Sequence, residues 1–187
     1  MLPAFNKISK LYDDVVLWIA GSIKSMPKAY FFDVSDDENI LNLEKYYKSN
    51  YYEQLVALID KEAEKKINFC GFQDSYSMLN KSDILILPSV WNEPFGMPVI
   101  EAMAAGKIVI ASKSGGITEL ISENINGFLF EKNDIIELNN RMDYVIRNLH
   151  SLDNIRQNAI NFAYGNFTWE IIASKLENIY NTLCGEV

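Results

Sequence analysis

Two carboxylates, Glu93 and Glu101, stand on either side of Pro94-Phe95-Gly96-Met97-Pro98-Val99-Ile100. The order is loop, then helix. Gly96 lets the backbone come close to a ligand, and Pro98 occupies the place of a first helical residue, where its missing N–H costs nothing. The amides of Gly96, Met97 and Val99 then point out of the helix start, and amides so arranged hold an anion. Glu101 lies about one turn into the helix, so the two carboxylates flank the amides from opposite ends. Carboxylates accept hydrogen bonds from vicinal hydroxyls. A phosphate in the middle with hydroxyl-rich groups on both sides satisfies this layout, and a nucleotide sugar has that chemistry.

Such residues need a strand, a tight loop and a helix to hold them, and the chain supplies that unit repeatedly. Apolar runs at 15–20, 67–72, 84–87, 108–111 and 127–130 read as buried parallel strands, because both faces are apolar. Helical patterns fill 51–64, 75–80, 98–105, 116–122 and 135–149, then 153–164 and 168–183, where Thr168 with Glu170 makes a helix start. A further amphipathic helix over 1–12 presents Leu2, Phe5, Ile8 and Leu11. Strand alternating with helix predicts an α/β fold: a doubly wound, Rossmann-like, mostly parallel sheet flanked by helices, with C-terminal helices after the last strand. Residues 22–50 break the rhythm and read as an insertion or flap in a single domain spanning 1–187.

Composition narrows the ligand classes. The chain has 187 residues, with 17 Lys+Arg against 25 Asp+Glu, a formal charge of −8 and 49% hydrophobic residues. That describes one soluble domain able to bury a core. An acidic balance without a basic stripe argues against nucleic acid or an anionic membrane as principal partner. Cys70 and Cys184 form no CxxC pair, so neither a disulfide framework nor a zinc site is indicated, and a reducing, cytoplasmic setting fits. No apolar run approaches the roughly 18 residues of a transmembrane helix.

Other residues have plainer readings. Gly115-Gly116 either cradles phosphate or makes a tight turn that permits close packing, and the two roles stand level. Glu119 reads as a cap or solvated residue on an early helical turn. His150, the sole histidine, reads as a dipole partner at a helix C-terminus. Trp91 is expected in the core or in a pocket wall, and Cys70 as a buried small hydrophobe.

The ordered series Glu93-Pro94-Phe95-Gly96-Met97-Pro98-Val99-Ile100-Glu101-Ala102-Met103-Ala104-Ala105-Gly106, then Val109-Ile110-Ala111-Ser112, Ser114-Gly115-Gly116 with Glu119, and Asn126-Gly127-Phe128-Leu129-Phe130, closely resembles one family. It is similar to the C-terminal, donor-binding domain of group 1 (family 4) retaining glycosyltransferases with the GT-B fold. Residues 17–21, 67–71, 83–89 and 167–169 join the match, which therefore covers nearly the whole chain outside 22–50.

The resemblance implies a role for each matching residue. Glu101 accepts hydrogen bonds from the ribose hydroxyls. Glu93, the catalytic residue of the set, meets hydroxyls of the transferred hexose. The amides of Phe95, Gly96 and Met97 lie against the sugar and diphosphate, and Gly71, Phe72 and Gln73 receive the base. It implies no obligatory metal or other cofactor, since a positive side-chain pair stabilises the departing diphosphate. The donor is a nucleoside diphosphate sugar, and the acceptor a glycan, lipid or small molecule.

Two family features have no counterpart in these residues. The N-terminal acceptor-binding domain is one. The other is the first strand of the usual donor domain, with its Gly-Arg…Lys segment. The absent strand is expected to be central, between the strands at 15–20 and 84–87. The resemblance then implies, as partner, either an N-terminal acceptor-domain chain or a second copy of this one, with exposed apolar surface on the last helix at Trp169, Ile172, Leu176, Ile179 and Tyr180. The alternative is a truncated or split chain that binds a nucleotide sugar or a partner chain without catalysis of its own. The cofactor-lysine signature of a phosphorylase, a GxGxxG and a P-loop are not found.

Overall fold

The structure, a computed structural model, describes residues 1–21 and 51–185 together with Asp33 and Leu41. The expected insertion or flap at 22–50 otherwise lies outside the described residues. Two compact units emerge, Met1–Gln73 and Asp74–Val187.

In the first unit, helix α1 (Leu2–Leu11) buries Leu2, Ala4, Phe5 and Ile8. Strands β1 (Leu17–Ala20) and β2 (Ile67–Gly71) pair in parallel with Leu17 opposite Ile67. Helices α2 (Tyr51–Val56) and α3 (Lys61–Glu64) replace the continuous helix expected over 51–64. The break has a tertiary cause. Asn6, buried on α1, donates through Nδ2 to the Leu58 carbonyl at 2.8 Å and accepts at Oδ1 from the Asp60 amide at 3.2 Å. A helix running through 58–60 would claim these backbone groups for its own ladder. Lys66 closes the other end of α1, its Nζ donating to the carbonyls of Ser9 and Tyr12 at 2.8 and 2.7 Å. A cation there meets carbonyls left over at the helix terminus.

In the second unit, β3 (Ile84–Leu87), β4 (Ile108–Ser112) and β5 (Phe128–Phe130) form a parallel sheet in that order, with Ile84 opposite Ile108 and Ile110 opposite Phe128. Every residue of β4 is buried, as its two apolar faces require. On one face Val109 and Ala111 join a cluster with Val99, Ile100, Ala102 and Met103 of α5 (Met97–Ala104), Ile117 and Leu120 of α6 (Ile117–Leu120), and Ala159 and Ala163 of α8 (Asp153–Asn166). Burial of one such aliphatic side chain contributes about 1.5–3 kcal/mol. Helix α7 (Ile135–Asn148) contacts β4 and β5 with Leu138, Met142 and Val145 buried, and its Tyr144 ring meets Phe128 edge-on at 5.7 Å between centroids. This is the parallel α/β architecture expected of the sequence. Helix α4 (Ser75–Asn80) leads into β3, and α9 (Trp169–Cys184) closes the chain from a Thr168 cap.

Among the described residues β1 pairs only with β2, and β3 only with β4. Helix α9 buries none of its residues: Trp169 is 83% exposed, and Ile172, Leu176, Ile179, Tyr180 and Leu183 continue the exposed apolar face. Among the described residues, no helix is long and apolar enough to cross a membrane.

Candidate functional site

The loop between β3 and α5 carries Glu93, and its position follows from parallel pairing. All three strands of the sheet run the same way, so the segments after Leu87 and Ser112 emerge at the same sheet edge, where open α/β sheets bind ligands. These segments lock together through their backbones. The Gly116 N–H donates to the Glu93 carbonyl at 2.8 Å. A Cβ on Gly115, which adopts φ +51°, would stand 2.3 Å from that same oxygen, and one on Gly116 would stand 2.7 Å from the Pro94 carbonyl oxygen. Of the two roles open for this glycine pair, close packing is the one its surroundings display: the open side of each glycine is filled by the Glu93-Pro94-Phe95 backbone.

Side chains finish the loop. Ser89, buried two residues after β3, donates its hydroxyl to Glu93 Oε1 at 2.5 Å. Its own carbonyl accepts from the buried Ser112 hydroxyl at 2.6 Å, and Ser112 is the last residue of β4. Phe95 turns its ring onto Phe167, edge to face at 5.4 Å, which anchors the loop and leaves its backbone to other uses. Lys132, just beyond β5, donates to Asn92 Oδ1 at 2.8 Å.

Helix α5 opens at Gly96, which takes the left-handed conformation at φ +101°. Its missing Cβ answers an internal approach, with Ile117 Cγ1 3.2 Å from where that atom would stand. The helix begins at Met97, so Pro98 follows the first helical position. A second correction concerns the amides: the Val99 N–H, expected to face a ligand, donates to the Gly96 carbonyl at 2.9 Å. The N–H groups of Gly96 and Met97 have no acceptor among the described residues. Glu101 is half-buried on α5, and its carboxylate likewise has no hydrogen-bond or ion-pair partner among them.

Glu93, Phe95, Gly96, Met97 and Glu101 are therefore brought together on one loop and helix. Gly71, Phe72 and Gln73 belong to the first unit, at the carboxyl end of β2. There Gly71 has φ +65°, Phe72 is 88% exposed, and Gln73 Nε2 donates to the Cys70 carbonyl at 2.7 Å. Trp91, expected in the core or a pocket wall, is instead 62% exposed on the loop. Cys70 is half-buried because β2 is covered only in part. His150 follows α7 in a short 3-10 turn, exposed, and Glu119 is exposed on α6. The hydrogen bonds from Ser89 to Glu93 and from Ser112 to Ser89 are not readable from the sequence. The sole signal was a serine four residues before Glu93.

The family described as "Glycosyl transferases group 1" matches residues 1–162. The chain belongs to the group 1 glycosyltransferases. Among family relatives, an uncharacterized glycosyltransferase of Methanocaldococcus jannaschii is 38% identical over 120 residues, covering 62% of this chain and 30% of that protein. A glycosyltransferase of Rickettsia africae superposes with a TM-score of 0.75 at 28% identity, over 100% of this chain and 45% of that one. Anabaena HepE, solved in complex with UDP, superposes at 0.74 and 24% identity, over 96% of this chain and 44% of that one. At that identity the likeness is one of fold, and the fold is the Rossmann-like half of a GT-B glycosyltransferase. The chain thus spans less than half the length of these relatives.

Proposed function

We propose that this chain is the donor-binding domain of a retaining glycosyltransferase and holds a nucleoside diphosphate hexose over the loop 93–97. The observation that carries the reading is the set of unanswered groups there: the Gly96 and Met97 amides and the Glu101 carboxylate, all without partners among the described residues. The amides face the diphosphate. Glu101 accepts from the ribose hydroxyls and Glu93 from hydroxyls of the hexose. Support for the ligand class comes from Anabaena HepE, whose complexes hold UDP and UDP-glucose. No metal enters this reading.

In transfer, the bond from the anomeric carbon to the diphosphate oxygen breaks while the acceptor oxygen attacks on the same face. The acceptor proton passes to the departing diphosphate. Glu93 orients the hexose, and stabilised negative charge on the diphosphate lowers the barrier. The acceptor is a glycan, a lipid or a small molecule. The exposed apolar face of α9 is the surface offered to a partner, either an N-terminal acceptor-domain chain or a second copy of this one. In a second reading, a truncated or split chain binds a nucleotide sugar or a partner chain without catalysis of its own. The setting is cytoplasmic, where nucleotide sugars and reduced cysteines coexist.

Thermal unfolding with UDP-, GDP- and ADP-glucose tests the proposal. One of the three raises the melting temperature in a saturable manner, and no shift with any of them refutes it. Turnover by the isolated chain separates the two readings.

A further inference from the structure

Glu93 has two carboxylate oxygens, and the structure commits one of them. Oε1 accepts from the Ser89 hydroxyl at 2.5 Å, while Ser89 itself is 3% exposed and held through its carbonyl by Ser112 Oγ at 2.6 Å. Ser112 also lies 3.4 Å from the Ser114 hydroxyl, and Ser112 and Ser114 are both buried. Ser89 thus links the carboxylate of an otherwise open loop to the end of the fully buried strand β4, its hydroxyl on Glu93 and its carbonyl on Ser112. The backbone of the same residue is fixed independently by the Gly116 amide and by the space that Gly115 leaves.

A carboxylate on an open loop rotates about its side-chain torsions, and each frozen torsion that a ligand must impose weakens binding. Here the torsions are set before any ligand arrives. We infer that Ser89 is a positioning residue for Glu93: it holds Oε1 so that Oε2 alone faces the hexose hydroxyls, and Ser112 holds Ser89. The inference rests on the proposed role of Glu93 and adds a residue through which that role is exerted. Ser89 does not touch the ligand. Its removal therefore acts on the hexose and spares the nucleotide.

The test compares binding of UDP-glucose with binding of UDP by titration calorimetry on the full chain, with the GDP and ADP pairs in parallel. The hexose increment is the ratio of the two affinities. Ser89→Ala keeps the UDP affinity and lowers the increment about tenfold, the size expected for one charge-assisted hydrogen bond. Ser89→Thr, which restores the hydroxyl, recovers the increment. In a Glu93→Ala background, Ser89→Ala changes nothing further. Circular dichroism of each variant confirms the fold.

An unchanged increment in Ser89→Ala, with a lost increment in Glu93→Ala, overturns the role of Ser89 and leaves the functional reading standing. An unchanged increment in Glu93→Ala overturns both residues' assignments. Absence of binding by every nucleotide overturns the functional reading, and the inference with it.

Discussion

The carbonyl oxygen of Glu93 accepts from the Gly116 N–H at 2.8 Å and sits 2.3 Å from the point where Gly115 would carry a side chain. The two loops at the carboxyl edge of the sheet are therefore built as one piece, with glycine required on one side and the glutamate on the other.

Substitution of Gly115 follows directly. Gly115→Ala places a methyl inside the contact radius of a backbone oxygen and strains a residue at φ +51°. Unfolding in urea is expected to show a loss of about 2 kcal/mol or more. Gly165 is the control. It lies near the end of α8 with nothing within 4 Å of its missing Cβ, so Gly165→Ala gains about 0.5–1 kcal/mol. Equal effects would mean that the packing at Gly115 is not what the geometry describes.

Acid sensitivity has an identifiable contributor at α4. The Ser77 backbone N–H donates to Asp74 Oδ2 at 2.8 Å, and this bond, then the Ser77 hydroxyl, holds the Asp74 carboxyl below its ordinary value of 3.8. A carboxyl lowered in the folded state stabilises it above the unfolded pKa and loses that contribution as pH falls through the folded one. Asp74→Ala melts below the unmodified chain at neutral pH, and the gap closes as the pH falls under the lowered value. Melting curves between neutral and strongly acid pH check this. A gap that persists in acid contradicts it.

Metal removal separates two ways of holding a diphosphate. The proposed site uses backbone amides at Gly96 and Met97, so stabilisation by the preferred nucleotide sugar is the same in excess EDTA as in magnesium. A ligand shift that vanishes with EDTA would assign the diphosphate to a cation instead.

How much of this was legible beforehand differs by element. Strands such as 108–111 were readable because burial on two faces forces an unbroken apolar run, and Thr168 announced α9 by its type alone. The family series from Glu93 to Phe130 gave the fold and the carboxylate pair. What escaped depends on contacts between distant segments. Asn6 splits the 51–64 helix from over fifty residues away. Ile117 explains Gly96, and the Glu93 carbonyl explains Gly115. Val99 was counted as an available donor because the first-turn hydrogen bond to Gly96 is a geometric detail no residue type encodes. Ser89 and Ser112 look like ordinary loop and strand residues until the parallel register of β3 and β4 brings them together.

The central claim is that Glu101 and the neighbouring amides bind the nucleotide part of a sugar donor. Calorimetric titration of UDP, GDP and ADP into the chain and into Glu101→Ala tests it most directly. Because the Glu101 carboxylate has no partner among the described residues, the variant keeps its melting temperature without ligand, and alanine suits the helix. One nucleoside diphosphate binds the unmodified chain, and its affinity for Glu101→Ala falls about tenfold or more. Equal affinity for both proteins, or binding to neither, would contradict the account.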